Sequence, residues 1–204
     1  MEDGGQTLRE LITVERSLDR WAEVLPLYAG VQIDLAGDVA ELLALGVPDL
    51  RLEVLPAKAE ATLDEIVDLP DDERRRLAGS LPWVRGACEE LAAAGIPETI
   101  QHDDLHDAQV FVRDGRYLLL DWGDACVSHP FFSLAVTLDG VISWGVDDVE
   151  GSAPTEPFRD AYLEPFRGRT ASDLVALSTT ARRLSQPSDE STRLRLRMFL
   201  DGRA

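Results

Sequence analysis

Positive charge is scarce in this sequence. Twenty basic residues face 38 acidic ones, for a net charge of −18, and Lys58 is the only lysine. Such a field repels nucleic acid and anionic membrane surfaces, because binding phosphate requires cationic neutralisation. It attracts polycationic small molecules instead. Cysteine is equally sparse: Cys88 and Cys126 cannot staple a disulfide scaffold and fit no metal-ligand spacing. No apolar run approaches the ~18 residues of a membrane span. The start, "MEDGGQTLRE", has neither the basic head nor the apolar centre of a signal peptide. These absences point to a reduced, cytoplasmic protein that binds neither nucleic acid nor membrane. Material for a core is ample, with 45% hydrophobic residues in 204, enough for one domain or one and a half. Oligomeric state has no signature here.

Residues 1–100 read as helical. Leu18, Trp21, Leu25 and Tyr28 recur at three- and four-residue intervals, so the spacing predicts a helix over 17–29 that Pro26 kinks or divides. A second helix is expected over 34–45, stopped by Gly46 and Pro48, with others over 60–68 and 71–79. "SLPWVRGACEELAAAG" predicts a separate helix, capped by Ser80, with Pro82 in its first turn and Gly95 at its end. The pattern then changes. "QVFVRDGRYLLLDWGD" holds two short β-prone runs joined by Asp114-Gly115, a strong hairpin signal. "PFFSLAVTLDGVISW" follows as a buried helix, then helices over 156–166, 171–184 and 188–200. The fold class is α+β, mostly α-helical, around one small β-hairpin.

Polar residues bracket that hairpin. His102, Asp104 and Gln109, in "IQHDDLHDAQVFVR", precede its first strand, and Asp121-Trp122-Gly123 closes its second. Antiparallel strands joined by a tight turn bring their outer ends together, so Asp104, Gln109 and Asp121 are expected to converge. Carboxylates in one small volume repel one another unless a cation or a hydroxyl proton is shared among them. The spacing is close to that of kinase catalytic loops: a His-x-Asp, an amide side chain five residues later, and a second Asp beyond a hairpin. There the first Asp accepts the substrate hydroxyl's proton, while the amide residue and the second Asp hold Mg²⁺ on the phosphates of ATP.

From His102 to Val136, "HDDLHDAQVFVRDGRYLLLDWGDACVSHPFFSLAV" resembles the aminoglycoside phosphotransferase/choline kinase family of kinase-like small-molecule phosphotransferases. A looser likeness covers the helices on both sides. The resemblance implies Asp104 as the catalytic base, with His102 in the catalytic set as a buttress of the loop. It implies Gln109 and Asp121 as metal- and nucleotide-binding residues, with Mg²⁺ and ATP as cofactors. The implied reaction transfers the γ-phosphate to a hydroxyl of a small substrate, cationic or an amino sugar. The implied architecture is a protein-kinase-like C-terminal lobe. Residues 1–10 would be a remnant of the inter-lobe linker, 11–204 the helical lobe, and 100–125 the catalytic loop and hairpin.

The chain departs from the family pattern at named positions. Gln109 stands for the family's Asn, and its extra methylene displaces the amide oxygen by more than ~1 Å where Mg²⁺ demands octahedral geometry. Asp103 and Asp107 replace a Gly and a Pro, and Ser133 stands where many members have an Asp that braces the loop. The first hundred residues hold no Gly-x-Gly-x-x-Gly, and Lys58 lies in the helix-like "PAKAEA" rather than in a strand. The expectation is a lobe without its N-terminal β-lobe, weakly active or inactive by itself. The alternative is a non-catalytic substrate-binding module. A metal-dependent phosphohydrolase would need a histidine upstream of residue 102, and none exists. A zinc protease would need a glutamate where "HDDLH" has Asp.

Overall fold

In the computed structural model, which describes residues 5–65 and 69–185, a short strand β1 (Gln6–Thr7) leads into helix α1 (Leu8–Glu15). Thr7 caps α1. Its hydroxyl accepts from Glu10 N at 3.2 Å, and the Glu10 carboxylate accepts from Thr7 N at 2.9 Å. Helix α2 (Trp21–Leu35) then runs unbroken through Pro26. An interior proline costs about 3 kcal/mol. Trp21, Val24, Leu25 and Tyr28 are fully buried along one stripe of α2, each side chain contributing about 1.5–3 kcal/mol. Burial wins, and the helix extends past the expected 17–29. After a 3-10 turn, α3 (Val39–Ala44) stops before Gly46, which adopts φ 92°.

Helices α4 (Leu55–Glu65) and α5 (Asp71–Ala93) pack against each other over a small satellite core of Ala59, Leu63, Leu69 and Leu77. The two helices expected over 71–79 and from Ser80 are one. Ser80 does not cap; its hydroxyl donates back to Leu77 O at 2.7 Å. Leu77, Val84, Cys88 and Leu91 form a continuous buried face across the expected break. Asp71, Asp72 and Glu73 suit the first turn of this longer helix, where the backbone dipole favours negative charge. Helices α6 (Glu156–Leu163) and α7 (Ala171–Ser185) lie near their expected positions. The helix expected over 188–200, and the end of that over 60–68, fall outside the described residues.

The hairpin forms as its turn chemistry dictates. Strands β3 (Val110–Arg113) and β4 (Arg116–Leu119) pair antiparallel, and Asp114 and Gly115 both adopt positive φ, 52° and 71°. Around it the structure adds pairings beyond the single hairpin expected. β1 pairs with β3, Gln6 opposite Val112. A second sheet joins β2 (Thr99–Gln101) to β5 (Cys126–Ser128), with Gln101 opposite Cys126. Runs of two or three residues carry no readable alternation, so only the surrounding packing selects them. The segment after Pro130 is buried as expected but is no single helix. It is a 3-10 turn (Pro130–Phe132), a π-helical turn (Ala135–Asp139) and another 3-10 turn (Ile142–Trp144). Among the described residues, no helix is long and apolar enough to cross a membrane.

Gly5 makes the pairing of β1 possible. It adopts φ 90°, and a Cβ there would lie 2.3 Å from the Val112 carbonyl oxygen. Gly5→Ala is therefore expected to release Gln6–Thr7 from β3 and lower stability by roughly 1–2 kcal/mol. Faster amide exchange confined to β1 and its partner strand would show it; an unchanged exchange pattern would refute it.

Candidate active site

The base of the hairpin brings the first two polar residues together. Pairing continues one step past the strands, with Leu120 N donating to Gln109 O at 2.9 Å. This sets Gln109 beside Asp121, and Gln109 Nε2 donates to Asp121 Oδ2 at 3.0 Å. Asp121 sits in the left-handed region, φ 60° and ψ 61°, a conformation that Asp tolerates better than most residues. That backbone reversal ends β4 and turns the chain into the 3-10 turn Trp122–Asp124.

The loop between β2 and β3 is pinned from several sides. Asp103 also adopts positive φ, 64°. The buried Leu105 offers its carbonyl to the Thr137 hydroxyl at 2.8 Å. Arg9 holds Asp107 twice, through Arg9 N to Asp107 O at 3.1 Å and Nε to Oδ1 at 2.9 Å. His106 Nδ1 accepts from Ala108 N at 3.1 Å, which puts the neutral ring's proton on Nε2. Nε2 lies 3.5 Å from Asp104 Oδ2. The Asp104 side chain remains 35% exposed. Of the three residues expected to meet, Gln109 and Asp121 are in contact, and Asp104 stands in the preceding loop against His106.

His102 joins two segments of the site. It is fully buried, its Nε2 donates to Leu120 O at 2.7 Å, and its ring lies 4.8 Å from that of Trp122. One imidazole thus fastens the start of the loop to the residue before Asp121. Its Nδ1 is buried without a hydrogen-bond partner among the described residues.

Behind His102 lies a polar hub that sequence reasoning missed. The Tyr28 hydroxyl accepts from His102 N at 2.9 Å and from Gln32 Nε2 at 3.2 Å. It lies 2.7 Å from Ser133 Oγ. Ser133 donates onward to Gln101 Oε1 at 3.3 Å, so the proton between the two hydroxyls comes from Tyr28. Gln32 is held in turn by the Tyr162 hydroxyl, which donates to its Oε1 at 2.5 Å. Burial pushes both phenol pKa values up, so these groups stay neutral donors. Ser133 therefore takes part in the brace where the family resemblance has an Asp. One signal for the hub was present in the sequence: Gln32 continues the apolar stripe of α2. His129 is a structural turn residue. Its Nδ1 accepts from Phe131 N at 3.3 Å, and burial lowers its pKa to about 3.

The whole loop, hairpin and hub lie inside a longer match. The family model of the phosphotransferase enzyme family matches residues 2–174. The chain belongs to that family. Among solved structures, a glucosamine kinase is similar at 21% identity and a TM-score of 0.45, over 95% of this chain and 54% of that one. The chain thus spans about half the length of that kinase. No curated protein matches it.

In this phosphotransferase-family chain, Gln109 and Asp121 are the residues that could hold a metal. No cluster of three His, Cys, Asp or Glu side chains suited to a metal occurs among the described residues. An ion here would take one carboxylate, one amide oxygen and otherwise waters or phosphate oxygens. Mg²⁺ accepts such a set, because it dehydrates reluctantly and keeps several waters. Rotating the Gln109 amide by half a turn puts its oxygen where its N–H now meets Asp121. The donor chemistry fits the ion.

Proposed function

We propose that this chain transfers the γ-phosphate of ATP to a hydroxyl of a small molecule, with Asp104 as the base. The contact of Gln109 with Asp121 at 3.0 Å, at the foot of the hairpin that the Asp104 loop enters, carries this reading. The acceptor's proton passes to the Asp104 carboxylate as the new O–P bond forms. The bond from the γ-phosphorus to its bridging oxygen breaks, and ADP leaves. Mg²⁺, held by Gln109 and Asp121, would supply neutralisation of the phosphate charge. His106 and His102 position: the first faces Asp104, and the second ties the loop to Leu120. A net charge of −18 favours a cationic acceptor such as an amino sugar.

One observation favours a second reading, a substrate-binding module without turnover. Lys58 lies on α4, so no strand lysine is available among the described residues to grip the phosphates. A single assay separates the two. The full chain is mixed with Mg·ATP and a panel of amino sugars and amino alcohols, while melting temperature and ³¹P NMR are followed. A Mg·ATP-dependent thermal shift with ADP formation supports the enzyme. Neither shift nor ADP with any acceptor removes it.

Gln109 supplies a prediction within this reading. Gln109→Asn shortens the side chain by one methylene and is expected to tighten Mg²⁺-dependent ATP binding about tenfold. Calorimetric titration with and without Mg²⁺ measures this. Equal affinities in both proteins would take Gln109 out of the metal set.

A further inference from the structure

A cavity of about 470 Å³ opens at the end of β2 remote from Asp104. Thr99 lies in its wall, and the strand runs from there through Gln101 into the candidate loop, so the two sites occupy opposite ends of β2. Its volume falls in the range of small-molecule sites. Ile33, Ile96, Phe166 and Leu174 make its lining largely apolar, and among the described residues Arg167 and Arg169 add the only charges. Among the described residues no aspartate or glutamate lines it, although the chain has 38 of them.

The two arginines are not equivalent. Arg167 is 84% exposed and stands 3.9 Å from Glu164, a weak surface pair. Arg169 donates to the carbonyl of Ala94, just past the end of α5, and has no carboxylate partner among the described residues. One of its five N–H groups thus fixes the guanidinium against the cavity wall. Arg169, like Arg167, is exposed, and among the described residues no carboxylate pairs with its charge. A fixed guanidinium beside apolar walls matches a carboxylate on an apolar body. It suits a bare, strongly hydrated ion poorly, since the lining would strip water without replacing it.

We propose that this cavity binds a small aryl carboxylate, its ring system against Ile96, Phe166 and Leu174 and its carboxylate on Arg169. Its wall shares Gln32 with the hub behind His102 but includes none of Asp104, Gln109 and Asp121, and the proposal stands whether or not the chain turns over ATP.

The full chain is titrated with 2-naphthoate, 2-naphthylmethanol and 2-naphthylmethylammonium, using calorimetry and ligand-observed NMR. Naphthoate is expected to bind at least about tenfold more tightly than the alcohol, with the ammonium probe weakest. Arg169→Ala erases the preference for the anion. Ile96→Trp fills the cavity with Arg169 in place and weakens naphthoate about tenfold or more. Circular dichroism and melting check that each variant is folded. If Arg169→Ala does not fold, the probe series and Ile96→Trp decide the matter. Equal binding of the three probes overturns the proposal. So does an anion preference that survives Arg169→Ala, or naphthoate binding that Ile96→Trp leaves unaltered.

Discussion

Asp104→Asn is expected to lower phosphoryl transfer by about 10²–10⁴-fold and leave the fold intact. The substitution keeps the side chain's shape and removes its capacity to take a proton. Its structural cost is small. Asn is isosteric with Asp, and Asp104 is partly exposed. Nucleotide affinity should hold as well, because Gln109 and Asp121 are untouched. Steady-state kinetics with ATP and the best acceptor, beside a melting curve, test all three statements. A variant that retains a tenth or more of the turnover places the base elsewhere. A variant that loses nucleotide affinity as well would make Asp104 a metal ligand.

Tyr28→Phe is expected to lower folding stability by about 1–3 kcal/mol and to loosen the start of the candidate loop first. The change deletes one oxygen atom. That oxygen accepts from His102 N and Gln32 Nε2 and donates to Ser133, all in the fully buried interior. The buried His102 N–H loses its acceptor, which costs about 1–3 kcal/mol, while Gln32 Nε2 keeps the Ile100 carbonyl at 3.1 Å. Against a total of about 5–15 kcal/mol for a domain, this is a large loss for so conservative a change. Urea denaturation gives the total, and amide exchange locates it. The His102 amide should exchange faster while amides of β3 and β4 hold. Adding Ser133→Asp to Tyr28→Phe supplies a strong acceptor at the brace and should recover part of the loss. A cost under about 0.5 kcal/mol would mean that the hub does not hold the loop.

The two predictions mark two levels of legibility. Asp104 could be put forward from the sequence because catalytic spacing is a local pattern: a His-x-Asp, an amide five residues on, and a second Asp past a hairpin whose turn is named by Asp114-Gly115. The chain contains no asparagine at all, so the amide beside Asp121 had to come from a glutamine. Tyr28 was readable only as one apolar position on a helix face. Its hydroxyl acquires meaning from His102 and Ser133, 74 and 105 residues away in sequence. The division allowed at Pro26 and the helix start assigned at Ser80 failed for a related reason. Proline and serine act through one or two hydrogen bonds, whereas the faces of α2 and α5 each bury several large side chains. The five residues of β1 and β2 were too few to show any alternation.

The sequence by itself determined the acidic balance, the helical majority and the hairpin. It also determined the order of His102, Asp104, Gln109 and Asp121 around that hairpin, and with it the family. Each of these follows from interactions among residues a few positions apart. Only the tertiary structure decided that Asp104 stands against His106, that His102 ties the loop to Leu120, and that a neutral tyrosine–serine pair stands behind the loop. Those outcomes depend on which distant surfaces pack together. Burial then decides which polar groups must find one another, because a buried donor without an acceptor costs more than most single contacts contribute.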